Sequence, residues 1–144
     1  PRDDRAQYVL TVDVRLAQNA VVGHSEIRFT PDIATDKLVL RLWANSPRTA
    51  RLGAKLDVSA VTLGHGPAQM QQPDATTVVV PLPSPLAAGR TVQLGVDWRL
   101  TLPGAVEDRI SRSGDTVRLG GPVVHVFDVE IPHRELMHSL ARTP

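Results

Sequence analysis

The five histidines are the residues of this 144-residue sequence best suited to metal binding or acid–base chemistry. The stretch nearest to a known motif is H-R-E-L-M-H, from His133 to His138. A zinc peptidase helix carries H-E-x-x-H, because histidines four residues apart share one face of a helix and meet one metal. His133 and His138 are five residues apart, about 140° around a helix, and Arg134 takes the position four before His138. Glu135 and His138 could share a face, but two ligands do not make a site, so we expect a solvated terminal helix without metal.

The other three histidines also favour ordinary structural roles. His24 falls on the polar side of a predicted strand, and His65 stands between two glycines in a turn. His125 shares a face with Phe127 and Val129, which predicts a partly buried histidine with one hydrogen-bond partner. None forms a nucleophile pattern with serine or a carboxylate, and G-x-S-x-G, phosphate-binding glycine loops and calcium-loop spacings are absent. With no cysteine either, the sequence predicts no catalytic, cofactor-binding or metal-binding residue.

Two further features invite a binding role, and both have a simpler interpretation. Arg109, Arg112 and Arg118 flank a predicted hairpin tip and could bind an anion. Charges at such a tip usually mark a protected, solvated edge. Trp98 could be a ligand platform, but it belongs to an apolar alternation, so we predict that it lies in the core.

That alternation defines the element around which the sequence is organised. Six apolar residues occur at every second position, opposite Gln93, Gly95, Asp97, Arg99 and Thr101; they are Val92, Leu94, Val96, Trp98, Leu100 and Leu102. This is the period of a strand with one buried and one wet face. Prolines bound the stretch from Pro83 to Pro103. We therefore predict a central strand of a sheet.

The remaining segments also have the patterns of strands. Their predicted ranges are 8–16, 21–29, 37–43, 56–63 with a bulge near Ala60, 76–82, 105–112, 116–119 and 123–131. The inward residues of the third are Leu38, Leu40 and Leu42, while Trp43 either covers a second layer or is half exposed. P-L-P-S-P is expected to be a stiff connector, and residues 133–141 a short helix. The sequence thus predicts one all-β domain over residues 1–144, an antiparallel β-sandwich or a curved saddle-like sheet.

Composition limits the possible partners. The formal net charge of +1 gives no global field for nucleic acid or an anionic membrane. No apolar run reaches the roughly 18 residues of a membrane span. The chain opens with P-R-D-D-R in place of a basic stretch followed by an apolar segment. We expect a soluble molecule whose export signal, if it had one, has been removed.

Laid end to end, the segments resemble the N-terminal β domain of the aminopeptidase N type zinc metallopeptidases. The resemblance covers about residues 6–131 and is carried by Y-V-L-T-V-D-V from Tyr8, V-G-H-S-E-I-R-F from Val22, L-V-L-R-L-W-A-N-S-P from Leu38 and L-A-A-G-R-T-V-Q-L-G-V-D-W from Leu86. It implies a saddle-shaped antiparallel sheet that packs on a catalytic domain. The zinc would lie in that other domain, and relatives of this pattern are often exported.

Two departures from the family pattern concern the end of the chain. The segment that normally separates G-G from F-D-V-x-I does not occur between Pro122 and Val123: either the protein lacks it, or its residues are left out of this sequence. The family residue that holds the substrate's amino terminus has no counterpart, since no glutamine follows Gln93. We therefore expect a non-catalytic domain that supports and walls the catalytic cleft of a metallopeptidase. The alternative is a free-standing β-sandwich binding or adhesion module. A homodimer through an exposed edge between Gly120 and Val126 is a further expectation, tested by Val124→Lys.

Overall fold

Antiparallel strands make up most of the chain in the computed structural model, which describes residues 6–104, 110–119 and 127–130. This part also contains a five-residue helix, α1 (Pro47–Arg51), and two single turns of 3-10 helix at Leu16–Gln18 and Trp43–Asn45. In chain order its strands are β1 (Gln7–Arg15), β2 (Ala20–Phe29), β3 (Thr35–Leu42), β4 (Lys55–Leu63), β5 (Gly66–Pro67), β6 (Gln71–Asp74), β7 (Thr77–Leu86), β8 (Val92–Thr101), β9 (Ile110–Ser113), β10 (Thr116–Leu119) and β11 (Phe127–Glu130).

The strands form two main sheets and one hairpin. One sheet has the order β1-β2-β8-β4-β5 and the other the order β11-β3-β7-β6, while β9 pairs with β10. Every pairing between these strands is antiparallel. Side chains from both main sheets belong to one cluster of buried residues. The predicted all-β, antiparallel class is confirmed.

Strand β8 is the third of five strands in its sheet, as the prediction of a central strand requires. Its alternation separates a buried face from a wet one: Leu94, Val96, Trp98 and Leu100 are at most 2% exposed. β2 and β4 flank it on either side over almost its whole length. The prediction that Trp98 lies in the core is confirmed.

The second sheet covers this apolar face with branched aliphatic side chains. Leu38, Leu40 and Leu42 of β3 and Val78 and Val80 of β7 are completely buried. Burying each such side chain stabilises the folded state by about 1.5 to 3 kcal/mol. The predicted inward orientation of the three leucines is confirmed, whereas Trp43 lies in the following 3-10 turn with 55% of its surface exposed.

The first hairpin contains a left-handed residue at its turn, and the predicted bulge near Ala60 is present. The β1–β2 hairpin turns at Asn19, whose φ of 52° is left-handed and whose side-chain amide donates to the carbonyl of Leu102 at 2.9 Å. The register of β4 against β8 slips between Val58 and Ala60. This bulge moves the apolar positions of β4 from even to odd numbers.

Asn45, in the L-R-L-W-A-N-S-P stretch, joins three parts of the fold. Its side-chain amide donates to the carbonyl of Leu56 at 2.8 Å and to that of Ala75 at 2.7 Å. Its Oδ1 accepts the backbone N–H of Leu56 at 2.7 Å. The turn after β3 is thereby tied to the start of β4 and to the turn between β6 and β7.

The helix and two strand assignments differ from prediction for local reasons. α1 starts with Pro47, which suits a first helical position, but five residues are too short for a helical apolar period. Strand β6 is exposed throughout and has no alternation to detect. The P-L-P-S-P segment is part of β7 instead of a connector. Its pairing with β3 skips from Lys37↔Pro81 to Thr35↔Leu86, and prolines are tolerated at such an irregularity.

Several predictions fall on residues outside those that the structure describes. They are Arg109, the edge between Gly120 and Val126, His125, the first part of the strand predicted over 123–131, and the helix with His133, Glu135 and His138. Within the described ranges, no helix is both long enough and apolar enough to cross a membrane.

Candidate functional site

A group of polar side chains lies on the wet face of the five-stranded sheet, where β2 and β8 pair. The register places His24 opposite Asp97 and Glu26 opposite Gly95. The Nδ1 atom of His24 lies 2.6 Å from Oδ1 of Asp97, and Nε2 lies 2.6 Å from Oε1 of Glu26. Gln93 donates from Nε2 to Oε2 of Glu26 at 3.0 Å. We call His24, Glu26, Gln93 and Asp97 the His24 cluster.

Gly95 makes room for this cluster in the middle of the sheet. A Cβ atom at this position would lie 3.2 Å from Oε1 of Glu26 and 3.2 Å from Cε1 of His24, and it would overlap the hydroxyl of Thr62. Side chains of β2 and β4 therefore fold over the bare backbone of β8. A larger residue at Gly95 would push the carboxylate and the imidazole apart.

The hydrogen bonds of the cluster shift the pKa values of His24 and Glu26. Bonds first to Glu26 and then to Asp97 raise the pKa of His24, because each carboxylate accepts from the protonated ring. Bonds first from Gln93 and then from His24 lower the pKa of Glu26. A neutral imidazole can donate from only one nitrogen, so both contacts are satisfied together only by the imidazolium.

The cluster is built as a cross-strand ion pair and lacks the features of a reactive centre. Both ring nitrogens of His24 face carboxylates, so neither is directed at a substrate or a metal. Among the described residues no three histidine, aspartate or glutamate side chains converge in a way that could hold a metal ion. These residues do not fit a zinc site, which needs three protein ligands and an open position.

We expect the His24 cluster to stabilise the fold in a limited range of pH. The contribution of His24 is complete below its ordinary pKa of 6.5 and is lost as the pH rises through its raised folded pKa. That of Glu26 is complete above its ordinary 4.5 and is lost as the pH falls through its lowered folded pKa. The free energy of unfolding of wild type minus that of His24→Gln is therefore largest between these two values.

The side chains of His24 and Glu26 are 40% and 39% exposed, so solvent screening keeps this difference below about 1 kcal/mol. Urea unfolding at about pH 5.5 and about pH 8.5 measures it, with Asp13→Asn, which alters an exposed carboxylate outside the cluster, as the control. An equal difference between wild type and His24→Gln at both pH values would contradict the assignment.

Of the five histidines, His24 and His65 lie within the residues that the structure describes. His24 lies on the wet face as predicted. The other three members of the cluster come from the same face of β2 and β8 and were not predicted as a group. Each of these strands alternates visibly in the sequence. The information that joins them is the register, which single-strand patterns do not contain. His65 is exposed in the turn between β4 and β5.

Arg112, one of the three hairpin arginines, has a structural role. Its Nη1 donates to the carbonyl of Leu16 at 2.6 Å and to Oδ1 of Asn19 at 3.1 Å, and its Nε donates to the carbonyl of Gly114 at 2.9 Å. The side chain thus ties the β9–β10 hairpin to the turn between β1 and β2. Three of the five N–H groups of this guanidinium therefore donate to acceptors within the protein.

Solved structures of M1 zinc metallopeptidases contain a similar fold. The M1 zinc metallopeptidase from Deinococcus radiodurans matches 76% of this chain and 23% of its own, with a TM-score of 0.56 and 21% identity. A point mutant of that enzyme matches 72% of this chain and 22% of its own, with a TM-score of 0.54 and 23% identity. A two-domain M1 zinc metallopeptidase mutant bound to L-tryptophan gives a TM-score of 0.53 and 22% identity.

The coverage of these matches is strongly unequal. The chain spans about a fifth of the length of the peptidases that it matches. The sequence itself matches no protein-family profile and no curated protein. The resemblance found in the sequence is therefore confirmed at the level of the fold. This chain has the fold of one part of a larger metallopeptidase.

Proposed function

We propose that this chain is a non-catalytic β domain of an aminopeptidase-like zinc metallopeptidase and that it supports and walls the catalytic cleft. The observation that carries the proposal is the fold match, which takes in about three quarters of this chain but only about a fifth of each peptidase. In this proposal residues 1–144 form one domain. Its main partner is a separate catalytic domain, and that domain binds the zinc.

The described side chains support a structural role. Hydrolysis by a zinc peptidase needs three protein ligands, an open coordination position and a general base. The one histidine that contacts carboxylates, among the residues described, is His24. One ring nitrogen binds Asp97 on the neighbouring strand β8, and the other binds Glu26 on its own strand β2. The side chains of its partners Glu26 and Asp97 are 39% and 54% exposed, so water reaches both carboxylates.

We predict that the purified chain retains no stoichiometric zinc after dialysis and does not hydrolyse aminoacyl reporter substrates. Its sequence has no H-E-x-x-H motif, and the residues that the structure describes offer no set of three metal ligands. Metal analysis and a fluorogenic assay with added zinc measure the two properties. The variants His24→Ala and His138→Ala are the controls. Stoichiometric zinc that either substitution abolishes, or cleavage that depends on added zinc, would contradict a non-catalytic role.

The reading frame downstream of the codon for Pro144 provides a direct test of the parent protein. H-E-x-x-H followed by a further glutamate would support the proposal, since these residues supply zinc ligands and a base. A polypeptide made from that region should bind this chain and carry the zinc-dependent activity. A stop codon or a cell-wall anchor would contradict the proposal and favour a free-standing β-sandwich binding or adhesion module.

A further inference from the structure

The β9–β10 hairpin belongs to neither of the two main sheets. In the described part of the chain its two strands pair only with each other, through four antiparallel residue pairs from Ile110↔Leu119 to Ser113↔Thr116. Gly114 forms the turn between them with a φ of 57°. An isolated two-stranded hairpin is marginally stable in water. This hairpin therefore depends on contacts outside its own ladder.

Two apolar side chains dock the hairpin on the rest of the domain. Arg112 and Val117 lie opposite each other, so they share a face, and Ile110 lies two positions from Arg112 on the same face. Ile110 is 8% exposed and belongs to the buried core cluster, and Val117 is partly buried against that cluster. The docked face thus contains a small apolar contact with an arginine beside it.

Arg112 makes every hydrogen bond that the structure shows between residues 110–117 and described residues outside the hairpin. Its backbone N–H donates to the carbonyl of Gly104 at 3.4 Å, which is a long bond. Its Nη1 donates to the carbonyl of Leu16 at 2.6 Å and to Oδ1 of Asn19 at 3.1 Å. The short bonds that fix the hairpin to the β1–β2 turn therefore depend on one side chain.

The same guanidinium also holds the turn of the hairpin. Its Nε donates to the carbonyl of Gly114 at 2.9 Å. The guanidinium is a rigid planar group, so a movement that breaks the contacts of Nη1 also displaces Nε. Docking of the hairpin and closure of its turn are therefore coupled through Arg112.

We propose that the β9–β10 hairpin opens as a separate unit while the two main sheets stay folded, and that Arg112 is the residue that holds it closed. In the open form Ile110 and Val117 enter water, and the undocked ladder of four pairs separates. Segments with few buried apolar contacts open at a lower free energy than core strands. This property belongs to the domain itself and is independent of the proposed function.

Hydrogen exchange of the 144-residue chain, followed in peptides that cover residues 110–119 and 92–101, tests the proposal. In the wild type we expect the hydrogen-bonded amides of the hairpin to exchange at least about tenfold faster than those of β8. Arg112→Ala should speed exchange in the hairpin by about a further tenfold, because the closed form loses hydrogen bonds from a charged donor. Arg112→Lys keeps the charge without the planar fork and should give a smaller increase, which also provides a measurement if Arg112→Ala fails to fold.

Two further substitutions show whether the opening is separate and whether it depends on Arg112. Val96 is completely buried in β8, so Val96→Ala destabilises the main sheets. It should speed exchange in β8 and leave the rate in the hairpin unchanged, because the sheets stay folded in both forms of the hairpin. Arg99→Ala is the matched control, since it removes the bond from Nη2 of Arg99 to Oε1 of Gln18 in the same β1–β2 turn. It should not change exchange in the hairpin.

Three results would overturn the proposal. One is a hairpin that exchanges as slowly as β8 in the wild type or is not affected by Arg112→Ala. Another is an equal acceleration of the hairpin and β8 by Val96→Ala, which would mean that the hairpin opens only when the whole domain unfolds. The third is an equal effect of Arg99→Ala and Arg112→Ala on the hairpin, which would assign the effect to the β1–β2 turn in place of Arg112.

Discussion

Replacement of Trp98 with alanine is expected to lower the free energy of unfolding by about 3 to 5 kcal/mol. The indole is 2% exposed on the inner face of β8 and packs over Gly23 of β2. Its Nε1 donates to Oγ of Ser25 at 2.9 Å in the interior. Alanine would leave a cavity and would also remove the partner of a buried hydroxyl. Urea unfolding with an unchanged m-value measures the loss.

Gln93→Ala is the matched control for this prediction, because the two residues lie on opposite faces of the same strand. Gln93 is exposed and loses a single hydrogen bond to Glu26. We expect a cost of no more than about 1 kcal/mol. Similar losses for the two variants would mean that the assignment of the faces of β8 is wrong.

The sequence predicts the faces of the strands well because burial acts on each strand separately. A residue two positions along points to the same face, so the apolar rows of β2, β3 and β8 can be recognised without knowing their neighbours. The same holds for the bulge in β4, where the apolar period changes phase between Val58 and Val61. These predictions depend only on residues close together in the chain.

Features that depend on contacts between distant residues were not predicted. The His24 cluster joins positions 73 residues apart, and its existence depends on which strand pairs with β2 and in which register. The role of Arg112 likewise depends on carbonyl and side-chain oxygens from the β1–β2 turn. Local periodicity contains no information on such pairs, so a histidine or an arginine can be placed on a face but not given a partner.

The L-R-L-W-A-N-S-P stretch, which is part of the resemblance to the metallopeptidases, depends on both local and distant contacts. The leucines of L-R-L-W-A-N-S-P fill the core of the second sheet, which their alternation predicts. Asn45 in the same stretch has a role that only the fold reveals, since its side chain forms hydrogen bonds with Leu56 and Ala75. A motif of this kind therefore marks a shared fold and gives no evidence of catalysis.

Gly23→Ala is expected to destabilise the fold by about 2 to 3 kcal/mol, through overpacking. A Cβ atom at Gly23 would overlap the six-membered ring of Trp98. The ring cannot move aside easily, because it is buried and its Nε1 is bonded to Ser25. The new methyl group must therefore displace the indole or separate β2 from its neighbours. Urea unfolding measures the change in free energy.

Two controls separate this steric effect from the general effect of replacing glycine. Gly66→Ala should be neutral or stabilising by up to about 1 kcal/mol, because a Cβ atom there meets nothing within 4 Å and alanine restricts the unfolded chain. Adding Gly23→Ala to Trp98→Leu should cost less than adding it to the wild type, because the smaller side chain vacates the space that the methyl group needs. Equal costs of Gly23→Ala in both backgrounds would show that the indole does not determine the need for glycine at this position.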